Sequence, residues 1–187
     1  MPSVVQIANL ALAEIGETAI SAMTEANPRA RNCNQFYEMA RDTVIRELKP
    51  ASCTARTVLA PTATAPDFGY AYEFQIPSDC KFLIEVQPKD QPWKLEGRSI
   101  LSDETELDII YCLMETDPAQ FDDGTVQAIA MRLAWHISKP LTASVTQHDE
   151  AWKAYKRALA SARADSQAES GSESTDGDFS WLSARTR

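Results

Sequence analysis

The side chains able to do chemistry are few, and they do not converge along the chain. His136 and His148 are the two histidines. Neither stands three to five residues from the other, and no His-Glu-x-x-His occurs, so the spacing by which a helix presents metal ligands is missing. His136 lies between Trp135 and Ile137, and His148 falls on an apolar helical stripe. Both are expected to be core or interface residues. The four cysteines, Cys33, Cys53, Cys80 and Cys112, form no Cys-x-x-Cys pair and are expected to be reduced and buried as small apolar side chains. The chain has no Gly-x-Ser-x-Gly elbow and no glycine-rich phosphate loop. Asp103 and Glu106 are close enough in sequence to be proposed as an acid–base pair. General acid–base chemistry needs a cleft and a fixed geometry, and a solvent-facing loop is the expected setting here. The expectation is a protein without catalytic residues, cofactor or metal.

Composition narrows the partners. The 187 residues carry a formal charge of -9, with 44% hydrophobic and 24% charged residues. Wrapping DNA needs a basic stripe that displaces counterions, and an acidic chain offers the opposite. An acidic wall does let a duplex slide past it. No stretch approaches the roughly 18 to 20 apolar residues that span a bilayer. The opening Met1-Pro-Ser-Val-Val-Gln6 lacks the basic region of a signal peptide, so folding in the cytosol is expected.

The elements that would position any site are punctuated by caps and prolines. Ser3 and Gln6 make a capping box, Val4 to Ile15 recur at helical spacing, and Gly16 supplies a left-handed stop. The polar face of this helix is thin, so burial on more than one side is expected. Asn27 and Pro28 start a second helix whose seam is Ala30, Cys33, Tyr37, Ala40, Val44 and Leu48, ended by Pro50. From Ala51 to Thr116 short β-branched and aromatic runs alternate with turns, including a hairpin about Gly97, and predict one small antiparallel sheet. Asp117-Pro118 announces a third helix, which Gly124 splits and Pro140 ends. A fourth carries Val145, His148, Trp152, Tyr155, Leu159 and Ala162 on one stripe and Lys153, Lys156, Arg157 and Arg163 on a solvated face. The predicted class is mainly α with inserted β: a bundle of about four helices, a small antiparallel β-subdomain and an extended C-terminal tail. The boundaries are 1–50 for helices one and two, 51–116 for the insert, 117–165 for helices three and four, and 166–187 for the tail. That last stretch is rich in Ser, Glu, Gly and Asp, then ends in Phe179-Ser-Trp-Leu182, the pattern of a tether with an aromatic anchor.

Six motifs, in order, carry a family likeness. They are Ile7-Ala-Asn-Leu-Ala-Leu-Ala-Glu-Ile-Gly16, Asn32-Cys-Asn-Gln-Phe-Tyr-Glu-Met-Ala-Arg-Asp42, Ile76-Pro-Ser-Asp-Cys80, Trp93 to Arg98 followed by Asp108 to Tyr111, Thr116-Asp-Pro-Ala119, and Ser180-Trp-Leu-Ser-Ala-Arg185. Together they resemble the tail tubular protein A family, the head-to-tail adaptors of short-tailed bacteriophages. The likeness spans nearly the whole chain.

The resemblance implies a structural subunit in the virion, made in the host cytoplasm. It implies a dodecameric ring beneath the portal, continuing the DNA channel toward the next tail tube or nozzle protein. No membrane or sequence-specific DNA contact belongs to it. Phe179, Trp181, Leu182 and Arg185 become the expected portal-binding residues. Acidic candidates for the channel wall are Asp90, Glu96, Asp103, Glu104 and Glu106, with an outer soluble surface as their equal alternative. A head-completion connector of a long-tailed phage, and a monomeric cytosolic adaptor with a docking tail, are the competing readings.

Overall fold

Helix α1 (Val4–Glu14) begins where its capping residues dictate. Ser3 Oγ accepts from the Gln6 N–H at 3.2 Å, and Gln6 Oε1 accepts from the Ser3 N–H at 2.9 Å, satisfying two otherwise free donors. Gly16 then turns the chain at φ +75°, a conformation costly for any residue with a Cβ. The computed structural model describes residues 2–169. Helix α2 (Pro28–Leu48) has Asn27 Oδ1 accepting from the Ala30 N–H at 2.8 Å and ends in left-handed Lys49 before Pro50. Its buried seam is the expected one: Ala30, Cys33, Tyr37, Ala40 and Val44, with Leu48 partly buried.

Helix α3 (Asp123–Thr142) departs from expectation at both ends. Asp117-Pro118 opens only a single 3-10 turn, Pro118–Gln120; Phe121 then turns extended and inserts into the core, and Asp122 caps the true helix by accepting from the Thr125 N–H at 2.7 Å. The break thus precedes Gly124, which sits in the first turn of α3 with no steric room to spare. A Cβ there would lie 3.1 Å from Ala162 Cβ, so the missing side chain lets the next helix approach. Pro140 does not end α3 either. The turn after it finds its own partners, Thr142 Oγ1 donating to Ser138 O at 2.7 Å and the Ala143 N–H to Lys139 O at 3.1 Å.

Helix α4 (Val145–Glu169) runs past Asp165, the expected limit of the bundle, by one further turn. Ser166-Gln-Ala-Glu169 contains no Gly or Pro, and each residue is at worst a mild helix former. Its buried face is also shifted. Ala151, Ala154, Tyr155, Ala158, Leu159 and Ala162 are buried, whereas Val145 is 70% exposed and Trp152 lies at the rim. Alanines, invisible to a search for large apolar residues, make the actual contact. α3 is the central helix, touching α1, α2 and α4.

Between the helix pairs lie two three-stranded antiparallel sheets where one was expected. β1 (Thr54–Leu59), β6 (Leu107–Leu113) and β3 (Cys80–Gln87) form one in the order β1-β6-β3; β2 (Tyr72–Gln75), β5 (Ser99–Ser102) and β4 (Trp93–Glu96) form the other in the order β2-β5-β4. Strand alternation explains the second layer. On β6, Cys112 joins the helical core together with Phe82 and Ile84 of β3. Leu107, Ile109 and Tyr111 point the other way, and Phe74, Ile76 and Ile100 cover them. A sheet apolar on both faces needs cover on both. The β4–β5 hairpin turns at Gly97, φ +59°, as its sequence predicts. The described residues are therefore mixed α and β, with four α-helices and two small antiparallel sheets. No helix among the described residues is long and apolar enough to cross a membrane.

Candidate functional site

Two helical stripes meet where α3 and α4 pack together. Arg132, Trp135 and His136 follow i, i+3, i+4 spacing on α3, and His148, Trp152, Tyr155 and Lys156 follow i, i+4, i+7, i+8 spacing on α4. The Arg132 guanidinium carbon sits 4.6 Å from the Trp135 ring centroid, 5.1 Å from Tyr155 and 5.4 Å from Trp152. Such contacts stabilise a cation by about 0.5 to 2 kcal/mol each, more where water is displaced. Arg132 Nε is buried without a hydrogen-bond partner. Trp152 is 36% exposed and carries the Lys156 ammonium 4.9 Å above its ring. Trp135 joins the set together, stacking on His148 at 5.1 Å and meeting Trp152 at 5.1 Å.

The histidines border this cage without acting as an acid–base pair. His136 stacks on Phe36 at 5.5 Å, and its Nε2 is buried and unpartnered. Burial first, and then the electrostatic influence of Arg132 and His148, lower its pKa to about 4, so the ring is neutral at pH 7. His148 Nδ1 lies 3.0 Å from Ser138 Oγ, a distance that suits a nucleophile and its base. Ser138 is fully buried, however, and donates to Trp135 O at 2.8 Å, so no substrate can reach it. The pair is a helix–helix tie. Tyr155 is fully buried, and its hydroxyl is held protonated first by burial and then by the nearby Glu47 carboxylate.

The cysteines are free and buried. Burial raises Cys33 to about 11 and Cys112 to about 12, and it pushes Cys53 and Cys80 upward as well. Thiols held in that form are poor nucleophiles. Among the described residues no group of three or more His, Cys, Asp and Glu side chains could hold a metal ion. Asp103 and Glu106 do occupy a loop between β5 and β6, both exposed.

The acidic channel candidates divide into two groups. Asp90 lies between β3 and β4, and Asp103, Glu104 and Glu106 lie between β5 and β6. Trp93 pairs with Ser102, so these two connections leave the same end of the β2-β5-β4 sheet. Glu96 stands at the other end, in an ion pair with Lys94. Asp103 is partly committed already, its Oδ1 accepting from the Ala71 N–H at 2.9 Å. Phe179, Trp181, Leu182 and Arg185 lie outside the described residues.

The sequence pattern places His148, Trp152 and Tyr155 on one stripe of α4, but sorting residues into apolar and charged faces splits Trp152 from Lys156 and leaves Arg132 and Trp135 out of any site. Exposure adds two further features. Phe68, in the loop between β1 and β2, is 87% exposed. Leu10 is 49% exposed on the outer side of α1, beside Pro2, Gln6 and Val126, so α1 is buried on one side rather than on several. Burying large apolar side chains is favourable, and exposed patches of them are typical of contact surfaces. No protein-family model matches the chain, and no curated protein matches it.

Proposed function

We propose that this chain is a head-to-tail adaptor subunit of a short-tailed bacteriophage, acting as a structural component and not as an enzyme. The observation that carries the reading is the order of the six motifs that resemble the tail tubular protein A family. The described elements are compatible with it: two helices, an antiparallel β excursion, and two more helices that return to the first pair through α3. In this reading a bundle with an inserted β-subdomain builds a dodecameric ring. The ring receives the portal on one face and the next tail tube or nozzle protein on the other.

DNA passes through the bore without being read. A dozen subunits at -9 each carry a charge on the order of -100, which repels a duplex from the wall. Asp90, Asp103, Glu104 and Glu106 share one end of a sheet, and that end is our assignment for the bore; Glu96, paired with Lys94 at the opposite end, fits it less well. The exposed Leu10 and Phe68 are assigned to contacts between subunits or with the next tail protein. Phe179, Trp181, Leu182 and Arg185 are assigned to the portal.

The test is reconstitution. Purified protein mixed with portal is expected to form a ring of one stoichiometry, visible by light scattering and by images of the capsid–tail junction. A protein that forms no ring, with or without portal, overturns the assignment. Trp181→Ala should leave the folded subunit intact and impair attachment to portal-bearing capsids. Normal attachment would remove the tail's assigned role.

A further inference from the structure

Charge is distributed unevenly along this acidic chain. Residues 1–122 hold 19 acidic and 10 basic residues, a net of -9. Residues 123–169, the α3–α4 hairpin, hold 5 acidic and 6 basic residues, a net of +1. Of those six cations, only Lys153 has a carboxylate partner among the described residues, Glu150 at 2.8 Å. Arg132, Lys139, Lys156, Arg157 and Arg163 make no ion pair there; Arg163 donates to a backbone carbonyl, Glu47 O, at 3.1 Å. On a helix, Trp152, Lys156 and Arg163 fall within about 40° of one another at 100° per residue. They form one line along α4 that ends at the Arg132 cage.

The segment after Glu169 has the complementary chemistry. Glu173, Asp176 and Asp178 precede Phe179, Trp181 and Leu182, and no Lys or Arg intervenes before Arg185. Ser170-Gly171-Ser172 has the composition of a chain reversal. The lengths agree as well. Trp152 lies 17 residues before Glu169. At 1.5 Å per residue that is about 25 Å. The ten residues from 170 to 179 span up to about 33 Å when extended.

We infer that residues 173–182 dock on the α4 surface of their own chain, the acids lying along Arg163 and Lys156 and the aromatic anchor resting on Trp152 beside Arg132. The docked segment gives the unpaired cations their carboxylates and covers the exposed Trp152 ring. It also shields an adhesive aromatic anchor until a partner with more contact displaces it. The contact is a property of the isolated subunit, so it holds or fails independently of the phage assignment.

The full-length protein tests it without portal. With indole nitrogens labelled, the Trp181 resonance should sit away from its position in a free peptide of residues 170–187. Trp152→Ala, or Lys156→Glu with Arg163→Glu, should return it there; both lysine and arginine are exposed, so the fold is retained. Amide exchange at residues 179–182 should be slowed about tenfold. That is the ratio of a tether concentration on the order of 1 mM to a contact with Kd on the order of 0.1 mM. Added 1 M salt should remove most of this protection. A Trp181 resonance at the free-peptide position, or one indifferent to the α4 variants, overturns the inference. So does protection that grows with protein concentration, which would mean a second copy. Displacement of Trp152 signals by a short single-stranded oligonucleotide, in a protein whose Trp181 is free, would assign the surface to nucleic acid instead.

Discussion

Lowering the pH should weaken the helical core through one side chain, His136. Its ring is held neutral between Phe36 and Trp135, with the Arg132 cation nearby, and its pKa falls from 6.5 to about 4. The unfolded chain therefore binds a proton between these values that the folded chain refuses. Stability from this residue is fully present above about pH 6.5 and is lost as pH falls toward about 4. At 1.36 kcal/mol per pH unit the full span corresponds to about 3 kcal/mol, of which about 2 would be lost between pH 7 and pH 5. The ring is only half buried, and solvent screening reduces the loss to about 1 kcal/mol. Urea unfolding at half-unit intervals from pH 7.5 to 4.5 measures it. His136→Phe keeps a planar ring against Phe36 and cannot take a proton. The difference in unfolding free energy between the two proteins should change by about 1 kcal/mol over that window. Parallel pH profiles would refute the reasoning, because they would mean that His136 protonates equally in both states.

Three further perturbations test how the core is held. Asn9 clasps Ile20, donating to its carbonyl at 3.0 Å and accepting from its N–H at 2.8 Å; Asn9→Ala should cost about 2 kcal/mol in chemical denaturation. Gly124→Val should lower Tm through about 2 kcal/mol of overpacking against α4, with Ala162→Gly restoring part of the loss in the double variant. Asp42 bridges Arg41 and Lys81, tying α2 to β3. Burial raises its pKa, but the hydrogen bonds and charges of Lys81 and Arg41 outweigh burial and hold it below the ordinary carboxylate value. Asp42 is itself partly exposed, so solvent screens the pair, and Asp42→Asn should destabilise the protein by about 1 kcal/mol at pH 7. That deficit should vanish as pH falls through the lowered carboxylate pKa, and a deficit unchanged in acid would exclude the ion pair as its cause.

The sequence by itself determined the local events. Ser3 with Gln6, Asn27 with Pro28, and Gly97 each specify a backbone state by hydrogen bonds or steric freedom within a few residues. Those caps and turns stand where their residue types place them. The apolar seam of α2 was legible for the same reason, since a period of 3.6 residues is set by the helix alone. What lay beyond reach required knowledge of neighbours. Pro140 has the local chemistry of a helix stop, but the last turn of α3 closes over it because Thr142 and Ala143 find carbonyls there. The second sheet exists because β6 is apolar on both faces, and only packing reveals which face meets helices and which meets strands. The α4 contact is built from alanines, small enough to let α3 approach at Gly124 and too small to stand out in a hydrophobic pattern. Close approach, in turn, is what gathers Arg132, Trp135, Trp152 and Tyr155 from two helices into one cage. Helical spacing placed Trp152 and Tyr155 on one stripe of α4 but gave Arg132 and Trp135 no place; the distance between the helices made the four a site.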